Sequence, residues 1–121
     1  MKLLIVDDSN VIRSRIARAI LNPEISNITI VGLARDGVEA IALFKAHKPD
    51  AVTMDLTMPN MDGLTCISEM MKITPDIQIL VVSALTDKAT AIESLKLGAR
   101  GFLNKPFTDE ELVESLQELM D

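Results

Sequence analysis

Thiol and imidazole ligands are scarce in this chain, which has one cysteine, Cys66, and one histidine, His47, among 121 residues. A single cysteine excludes an internal disulfide, and without a second thiol or an imidazole at ligand spacing it excludes a zinc site. We therefore expect Cys66 to be a small buried residue. His47 stands beside Lys48 at the end of a predicted helix, which favours a surface position over a phosphohistidine role.

Excess positive charge and long apolar segments are also missing. The formal net charge is −6, which disfavours nucleic acid and anionic membranes and leaves a protein as the expected partner. The N-terminal apolar run stops at Asp7 and Asp8, too early for a signal peptide or a spanning helix, so we expect a cytoplasmic protein. The five glycines form neither a dinucleotide fingerprint nor a Walker loop, which disfavours nucleotide binding.

Apolar residues make up 48% of the chain, which is enough for one core. No repeat or linker divides it, so we expect residues 1–121 to form a single domain without an effector domain. Short runs rich in Val, Ile and Leu predict strands, and their continuous apolar character is typical of parallel strands covered on both faces. The predicted strands are Leu3–Val6, Ile28–Gly32, Ala51–Met54, Ile77–Val82 and Gly101–Leu103.

Segments with helical periodicity separate and follow these strands. The last helix is the best marked, because Thr108 and Glu111 have the spacing of a capping box. The first helix is expected to begin at Ser9 or Asn10 and to end near Pro23. The apolar residues expected to be buried are, from the first helix to the fifth, Val11, Ile12, Ile16, Ala19 and Ile20; Val38, Ile41, Leu43 and Phe44; Leu64, Ile67, Met70 and Met71; Ala91, Ile92 and Leu95; and Leu112, Val113, Leu116 and Leu119. Leu97 lies off the stripe of the fourth helix and is expected to be exposed.

Strand alternating with helix predicts right-handed crossovers and a doubly wound parallel α/β sheet with helices on both faces. Ligands of such sheets bind beyond the carboxyl ends of the strands, where the strand order reverses. Asp7 and Asp8 follow the first predicted strand, Asp55 the third, Ser83 the fourth and Lys105 the fifth. Three carboxylates repel one another unless a proton or a cation lies among them, and Mg²⁺ prefers such oxygen ligands. The lysine adds a positive charge for phosphate oxygens.

The order and spacing of these residues resemble those of response-regulator receiver domains, the CheY-like superfamily, along the whole chain. Single-domain chemotaxis-type regulators are the most similar members. The resemblance implies a flavodoxin-like (βα)5 fold with strand order 2-1-3-4-5 and a cis peptide bond before Pro106. The motifs that carry it are Asp7-Asp8, Asp55-Leu56-Thr57-Met58-Pro59 with Asp62-Gly63, Ser83-Ala84 and Lys105-Pro106-Phe107.

A signalling switch of a two-component system is the function that this resemblance implies. The partners would be a sensor histidine kinase or a histidine phosphotransfer protein, and an output protein bound through the fourth helix, fifth strand and fifth helix. We expect a monomer that binds neither nucleic acid nor membrane and that is not a turnover enzyme on external substrates. Whether the pathway is chemotaxis or a phosphorelay stays open. The implied site comprises Asp55 as phosphoryl acceptor, Lys105 and Ser83 beside it, and Asp7, Asp8, Asp55 and the Thr57 backbone carbonyl around Mg²⁺ or Mn²⁺.

The resemblance also implies a shift between two packings of the domain. The Ser83 hydroxyl would reach a phosphoryl oxygen only after its loop moves inward, and Ala84 would leave space for this movement. The aromatic side chain of Phe102 would then turn inward and change the output face. Because many relatives have tyrosine there, phenylalanine excludes a hydroxyl contact with a partner.

Hydrolysis of the acyl phosphate is expected to be slow. In relatives the positions of Thr57 and Leu85 tune the ordering of the attacking water, and a leucine side chain cannot hold a water. We therefore expect slow autodephosphorylation, measured as the phosphoryl half-life. An unchanged half-life in a Leu85→Glu variant would count against this expectation.

Two other classes of function share part of this pattern. A phosphatase of the haloacid-dehalogenase type also uses an aspartate nucleophile with Mg²⁺, but it needs a second acid two residues later, where this chain has Thr57. Rapid turnover of phosphate monoesters would favour it. A docking module that no longer uses phosphorylation is the third class, and the complete set of acids and lysine argues against it.

Overall fold

Strands and helices alternate along the part of the chain that the computed structural model describes, residues 1–25, 27–84 and 88–120. Leu85 lies outside these residues, so the expectation about hydrolysis is not addressed by the fold. The elements are β1 Lys2–Val6, α1 Asn10–Ala19, β2 Thr29–Ala34, α2 Gly37–His47, β3 Ala51–Met54, α3 Gly63–Ile73, β4 Gln78–Ala84, α4 Lys88–Lys96, β5 Gly101–Lys105 and α5 Asp109–Met120.

The strands form one parallel sheet in the order β2-β1-β3-β4-β5, which confirms the predicted fold. The order reverses between β1 and β3, because the chain first adds β2 on one side of β1 and then crosses to the other. Val6 is paired with Met54 at the carboxyl ends of these two strands. Residues that follow β1 and β3 therefore lie side by side.

Each face of the sheet carries its own apolar layer. One layer joins Val52 of β3 to Phe44 of α2 and Met70 of α3, and the other joins Ile5 of β1 to Leu116 of α5. All four residues of β3 are buried, as expected for a central parallel strand with a continuous apolar run. The two layers leave the carboxyl edge of the sheet open for polar residues.

Side-chain caps fix the starts of the helices at this edge. Ser9 accepts from the amide of Ile12 at the start of α1. Asp36 and Asp62 cap α2 and α3 in the same way. The predicted capping box of α5 is confirmed, since the Thr108 hydroxyl accepts from the Glu111 amide and the Glu111 carboxylate accepts from the Thr108 amide. These bonds pair amide groups that no helical carbonyl can reach.

Replacing Thr108 by alanine is expected to lower the free energy of unfolding by about 1 kcal/mol, because the Glu111 amide loses its acceptor. Urea unfolding followed by circular dichroism measures this loss. Thr65→Ala, an exposed position in the first turn of α3, is the matched control and is expected to leave stability nearly unchanged. Equal stabilities of the two variants would count against the capping account.

Several predicted boundaries were wrong by a few residues. β2 and β4 each extend two residues further, and β5 runs on to Lys105, because ladder pairing continues beyond the apolar run. α1 ends at Ala19 rather than near Pro23. The reason is a tighter last turn, in which the amides of Leu21 and Asn22 bond to carbonyls three residues back.

The predicted stripe of α4 was wrong. Ile92 and Leu95 are 53% and 46% exposed, and Leu97, expected to be exposed, packs against the core. Ser94 is fully buried instead, since its hydroxyl donates to the Ala91 carbonyl at 2.6 Å and leaves no unpaired polar group. The helical periodicity of the apolar residues alone therefore predicted the wrong buried face for α4.

Two further stripe positions were also wrong. Val11 and Val38 are 68% and 56% exposed. They lie in the first turns of α1 and α2, beyond the carboxyl edge of the sheet, where neither apolar layer includes them. Both apolar side chains therefore lie on the surface near the polar edge.

The two scarce residue types lie as expected. Cys66 is fully buried in α3, and burial raises the pKa of its thiol to about 12, so it stays protonated. His47 is exposed at the end of α2. Neither belongs to a cluster of metal-ligating residues within the described ranges.

Candidate functional site

Three carboxylates meet where the strand order reverses. Asp7 and Asp8 follow β1, and Asp55 follows β3, the neighbouring strand. One carboxylate oxygen of each lies within 4.8 Å of those of the other two. Asp7 and Asp55 are 1% and 4% exposed, whereas Asp8 is exposed. The structure thus brings together the three acids that the sequence singled out.

Hydrogen bonds from backbone and side-chain groups hold the turn that carries Asp7. The Asp7 amide donates to the carbonyl of Ala34, and Oδ1 of Asp7 accepts from the amide of Ser9 at 2.8 Å. Nη1 of Arg13 donates to the Asp7 carbonyl at 2.6 Å. Sequence reasoning missed Arg13. The signal that could have found it is its place one turn into α1, from which a long side chain reaches back to the strand end.

Lys105, the last residue of β5, reaches into the acid cluster. Its Nζ lies 2.8 Å from Oδ2 of Asp7 and 3.7 Å from Oδ2 of Asp55. The side chain is 20% exposed. The Lys105–Pro106 peptide bond is cis, as the resemblance implies. One cation therefore contacts the two buried acids.

Ser83 lies in β4 and faces Asp55. Its hydroxyl donates to Oδ1 of Asp55 at 3.0 Å and accepts from the amide of Leu56 at 3.4 Å. The residue is 2% exposed and pairs with Asn104 in the sheet. The hydroxyl therefore already lies beside Asp55, on the strand next to β3. The expectation that it reaches a phosphoryl oxygen only after its loop moves inward stays a prediction.

The Asp55 carboxylate is poorly stabilised in this setting. Burial, and next the negative charge of Asp7, raise its pKa from 3.8 to about 6. The charge of Lys105 and the bonds from the Thr57 amide and the Ser83 hydroxyl lower it but do not offset the rise. The group is still mostly ionised at pH 7. The positive charge of Lys105 therefore offsets the negative charge of Asp55 only in part.

Thr57 and Phe102 are the two remaining predicted site residues. Thr57 contacts the acid cluster, whereas Phe102 lies in β5. The Thr57 amide donates to Oδ1 of Asp55 at 3.3 Å, and the Thr57 side chain is exposed. Phe102 lies in β5 and is half-buried against the core layer that contains Val81. It is thus near the surface formed by α4, β5 and α5, one strand away from Ser83.

Among residues 1–25, 27–84 and 88–120, none of the helices has the length and hydropathy that spanning a bilayer requires.

Comparisons with known proteins agree with this geometry. The sequence profile described as the response regulator receiver domain matches residues 3–117. The chemotaxis protein CheY of Thermotoga maritima is 41% identical over 118 residues, which are 98% of this chain and 96% of that protein. The fold also matches the crystal structure of the CheX-CheY-BeF3-Mg complex from Borrelia burgdorferi, with a TM-score of 0.91 and 30% identity over 100% of this chain and 90% of that chain.

The same region occurs inside a larger enzyme. The protein-glutamate methylesterase/protein-glutamine glutaminase 2 of Photobacterium profundum is 43% identical over 112 residues, 90% of this chain but 27% of that protein. The likeness therefore covers only 27% of that protein, and the receiver domains of this family are regulatory switches rather than turnover enzymes. The chain belongs to the response regulator receiver domain family and is a phosphorylation-activated switch of the two-component type.

Proposed function

We propose that Asp55 accepts the phosphoryl group and that this changes the binding of other proteins. The observation that carries the proposal is the junction of Asp55 with Asp7, Asp8 and the ammonium group of Lys105. A carboxylate is a competent nucleophile for phosphoryl transfer when nearby positive charge offsets the charge of the transferred group. The donor would be a phosphohistidine on a sensor histidine kinase or on a histidine phosphotransfer protein.

The donor set suits a hard divalent cation, Mg²⁺ or Mn²⁺. One oxygen each from Asp7, Asp8 and Asp55, together with the Thr57 backbone carbonyl, would hold it. The raised pKa of Asp55 supports this assignment, because it results from burial and next from the negative charge of Asp7, and a cation among the acids would offset both. When bound, the cation would neutralise charge on the transferred group. The Borrelia burgdorferi relative was solved in a complex that contains Mg²⁺ and BeF3.

The residues of the chain would then act by position and charge. A carboxylate oxygen of Asp55 attacks the phosphorus atom, the bond from phosphorus to the donor nitrogen breaks, and its electron pair leaves with the nitrogen. Lys105 lies 3.7 Å from Asp55 and would pair with a phosphoryl oxygen. The Ser83 hydroxyl, already beside the acceptor, would donate to another. Such transfer depends mainly on positioning and electrostatic stabilisation.

The output would pass through the surface of α4, β5 and α5. Ser83 pairs with Asn104 of β5, the strand that carries Phe102, so a change at the acceptor reaches this strand directly. Ile92 and Leu95 add exposed apolar side chains on α4. In this proposal residues 1–121 act as a monomeric single-domain receiver in the cytoplasm, within chemotaxis or a phosphorelay.

Phosphorylation by a small donor tests the proposal. We would incubate the protein with Mg²⁺ and acetyl phosphate and record intact-protein mass spectra. We expect one added phosphoryl group, which is absent when a chelator removes the metal. Asp8→Asn is expected to slow its formation at least tenfold, because Asp8 would be a metal ligand. Asp76→Asn, an exposed acid before β4 at the opposite edge, is the control and should behave as the wild type.

No adduct, under conditions that modify another receiver domain, would instead indicate a docking module that works without phosphorylation. Rapid release of phosphate from monoesters would indicate the phosphatase.

A further inference from the structure

The loop that carries Asp55 is hydrogen-bonded to a neighbouring turn. We call residues 55–62, between β3 and α3, the acceptor loop. The β2–α2 turn comprises residues 35 and 36, between β2 and α2, and Gly37, the first residue of α2. Nδ2 of Asn60, near the tip of the acceptor loop, donates to Oδ2 of Asp36 at 2.9 Å. Oδ1 of Asp36 accepts from the Glu39 amide at 2.8 Å. One carboxylate therefore ties the loop to the start of α2.

The backbone of Asn60 is shaped for this contact. Its φ is 70°, in the left-handed region, which asparagine and glycine enter more readily than other residues. Glycine at this position would keep the backbone conformation and lose only the side-chain bond, so backbone and side chain can be tested separately.

A second contact lies beside the first. A Cβ atom added to Gly37 would lie 2.6 Å from both Cβ and the carbonyl oxygen of Met61. Because the backbone of Gly37 is not in the left-handed region, the nearness of Met61 is what excludes a side chain there. Cys66 of α3 adds a weak bond from Sγ to the Gly37 carbonyl at 3.9 Å. The turn and the loop are thus packed as well as hydrogen-bonded.

We propose that Asn60, Asp36 and Gly37 are positioning residues that hold the acceptor loop in the geometry that binds metal and phosphoryl group. They lie outside the acid cluster and would act through the loop residues Asp55 and Thr57. The inference rests on the proposed function, since it assigns these contacts a role in the same metal site. Hydrogen bonds that orient the ligands of a metal site typically affect its affinity.

Calorimetric titration with Mg²⁺ tests the polar contact. Asn60→Gly is expected to raise the Mg²⁺ dissociation constant about fivefold, the effect of losing one hydrogen bond that holds a ligand. Asn27→Gly is the matched control, because Asn27 is also exposed with a positive φ of 64° but lies at the far edge, before β2. It should bind as the wild type does.

Exchanging the residue types at positions 36 and 60 tests whether Mg²⁺ binding can be recovered. Asn60→Asp alone places two carboxylates together and is expected to weaken Mg²⁺ binding further than Asn60→Gly. The double variant Asp36→Asn, Asn60→Asp restores a donor and an acceptor, with the new amide oxygen free to cap α2, and should recover most of the affinity. Gly37→Ala should weaken Mg²⁺ binding because the added Cβ atom would displace Met61. The hydrogen bond between Asn60 and Asp36 keeps both of its partners in this variant.

Amide hydrogen exchange without metal is the second readout. The Gly63 amide bonds to the Leu56 carbonyl and closes the acceptor loop. It is expected to exchange faster in Asn60→Gly and to recover in the double variant. Faster exchange with an unchanged dissociation constant would mean that the contacts are structural only and would overturn the proposal. A wild type that binds no Mg²⁺ would overturn the proposed function itself.

Discussion

Replacing Asp55 by asparagine is expected to stabilise the metal-free protein at pH 7 by about 3 kcal/mol. The folded state raises the pKa of Asp55 from 3.8 to about 6, so ionising this group costs more free energy in the folded chain than in the unfolded chain. An uncharged side chain of the same shape removes that cost. Unfolding by urea, followed by circular dichroism because the chain has no tryptophan or tyrosine, measures the change.

The same shift fixes the direction of the pH dependence. Because the folded-state pKa is raised, the wild type should gain stability relative to Asp55→Asn as pH falls from about 6 to 4, and the two should converge near pH 4. Mg²⁺ should stabilise the wild type at pH 7 more than the variant. Asp76→Asn controls for the loss of one negative charge. A variant less stable than the wild type at pH 7 would contradict this account of the site.

Replacing Gly63 by alanine is expected to destabilise the protein by about 3 kcal/mol. A Cβ atom there would clash with the Asp55 carbonyl oxygen and lie 2.6 Å from the Leu56 Cα, and backbone atoms cannot move aside as a flexible side chain can. Helix propensity alone predicts the opposite sign, since alanine is favoured over glycine in a helix. The free energy of unfolding therefore distinguishes the two effects.

Gly101→Ala is the matched control for this substitution. Its Cβ would lie 3.3 Å from a side-chain methyl group of Leu80, which can adjust, so we expect a change below about 1 kcal/mol. If Gly63→Ala proved as stable as Gly101→Ala, the close approach of α3 to the backbone of Asp55 and Leu56 would be contradicted.

Local signals in the sequence were sufficient for most of the fold and for the place of the acid cluster. Apolar runs that end in Asp7 and Asp55 are visible directly, and parallel strands bring their carboxyl ends to one edge. The capping box at Thr108 was predictable for the same reason, because its two partners are three residues apart. The strand order came from the resemblance rather than from these patterns.

Contacts between distant segments were not predictable in this way. The bond between Asn60 and Asp36 joins residues 24 positions apart, and neither residue type is unusual in a turn. The prediction of the buried face of α4 failed because the Ser94 hydroxyl donates to a carbonyl within the helix, so Ser94 is buried like an apolar residue. The contact of Ser83 with Asp55 depends on the pairing of β3 and β4, which no single segment encodes.

The identity of the phosphorylated residue tests the central claim most directly. Wild type and Asp55→Asn would be incubated with acetyl phosphate and Mg²⁺, and the modified residue located by mass spectrometry of peptides. We predict that the wild type carries one phosphoryl group on Asp55 and that the variant carries none. A phosphoryl group on another residue of the wild type, or an equal yield on Asp55→Asn, would contradict the assignment of Asp55 as the acceptor.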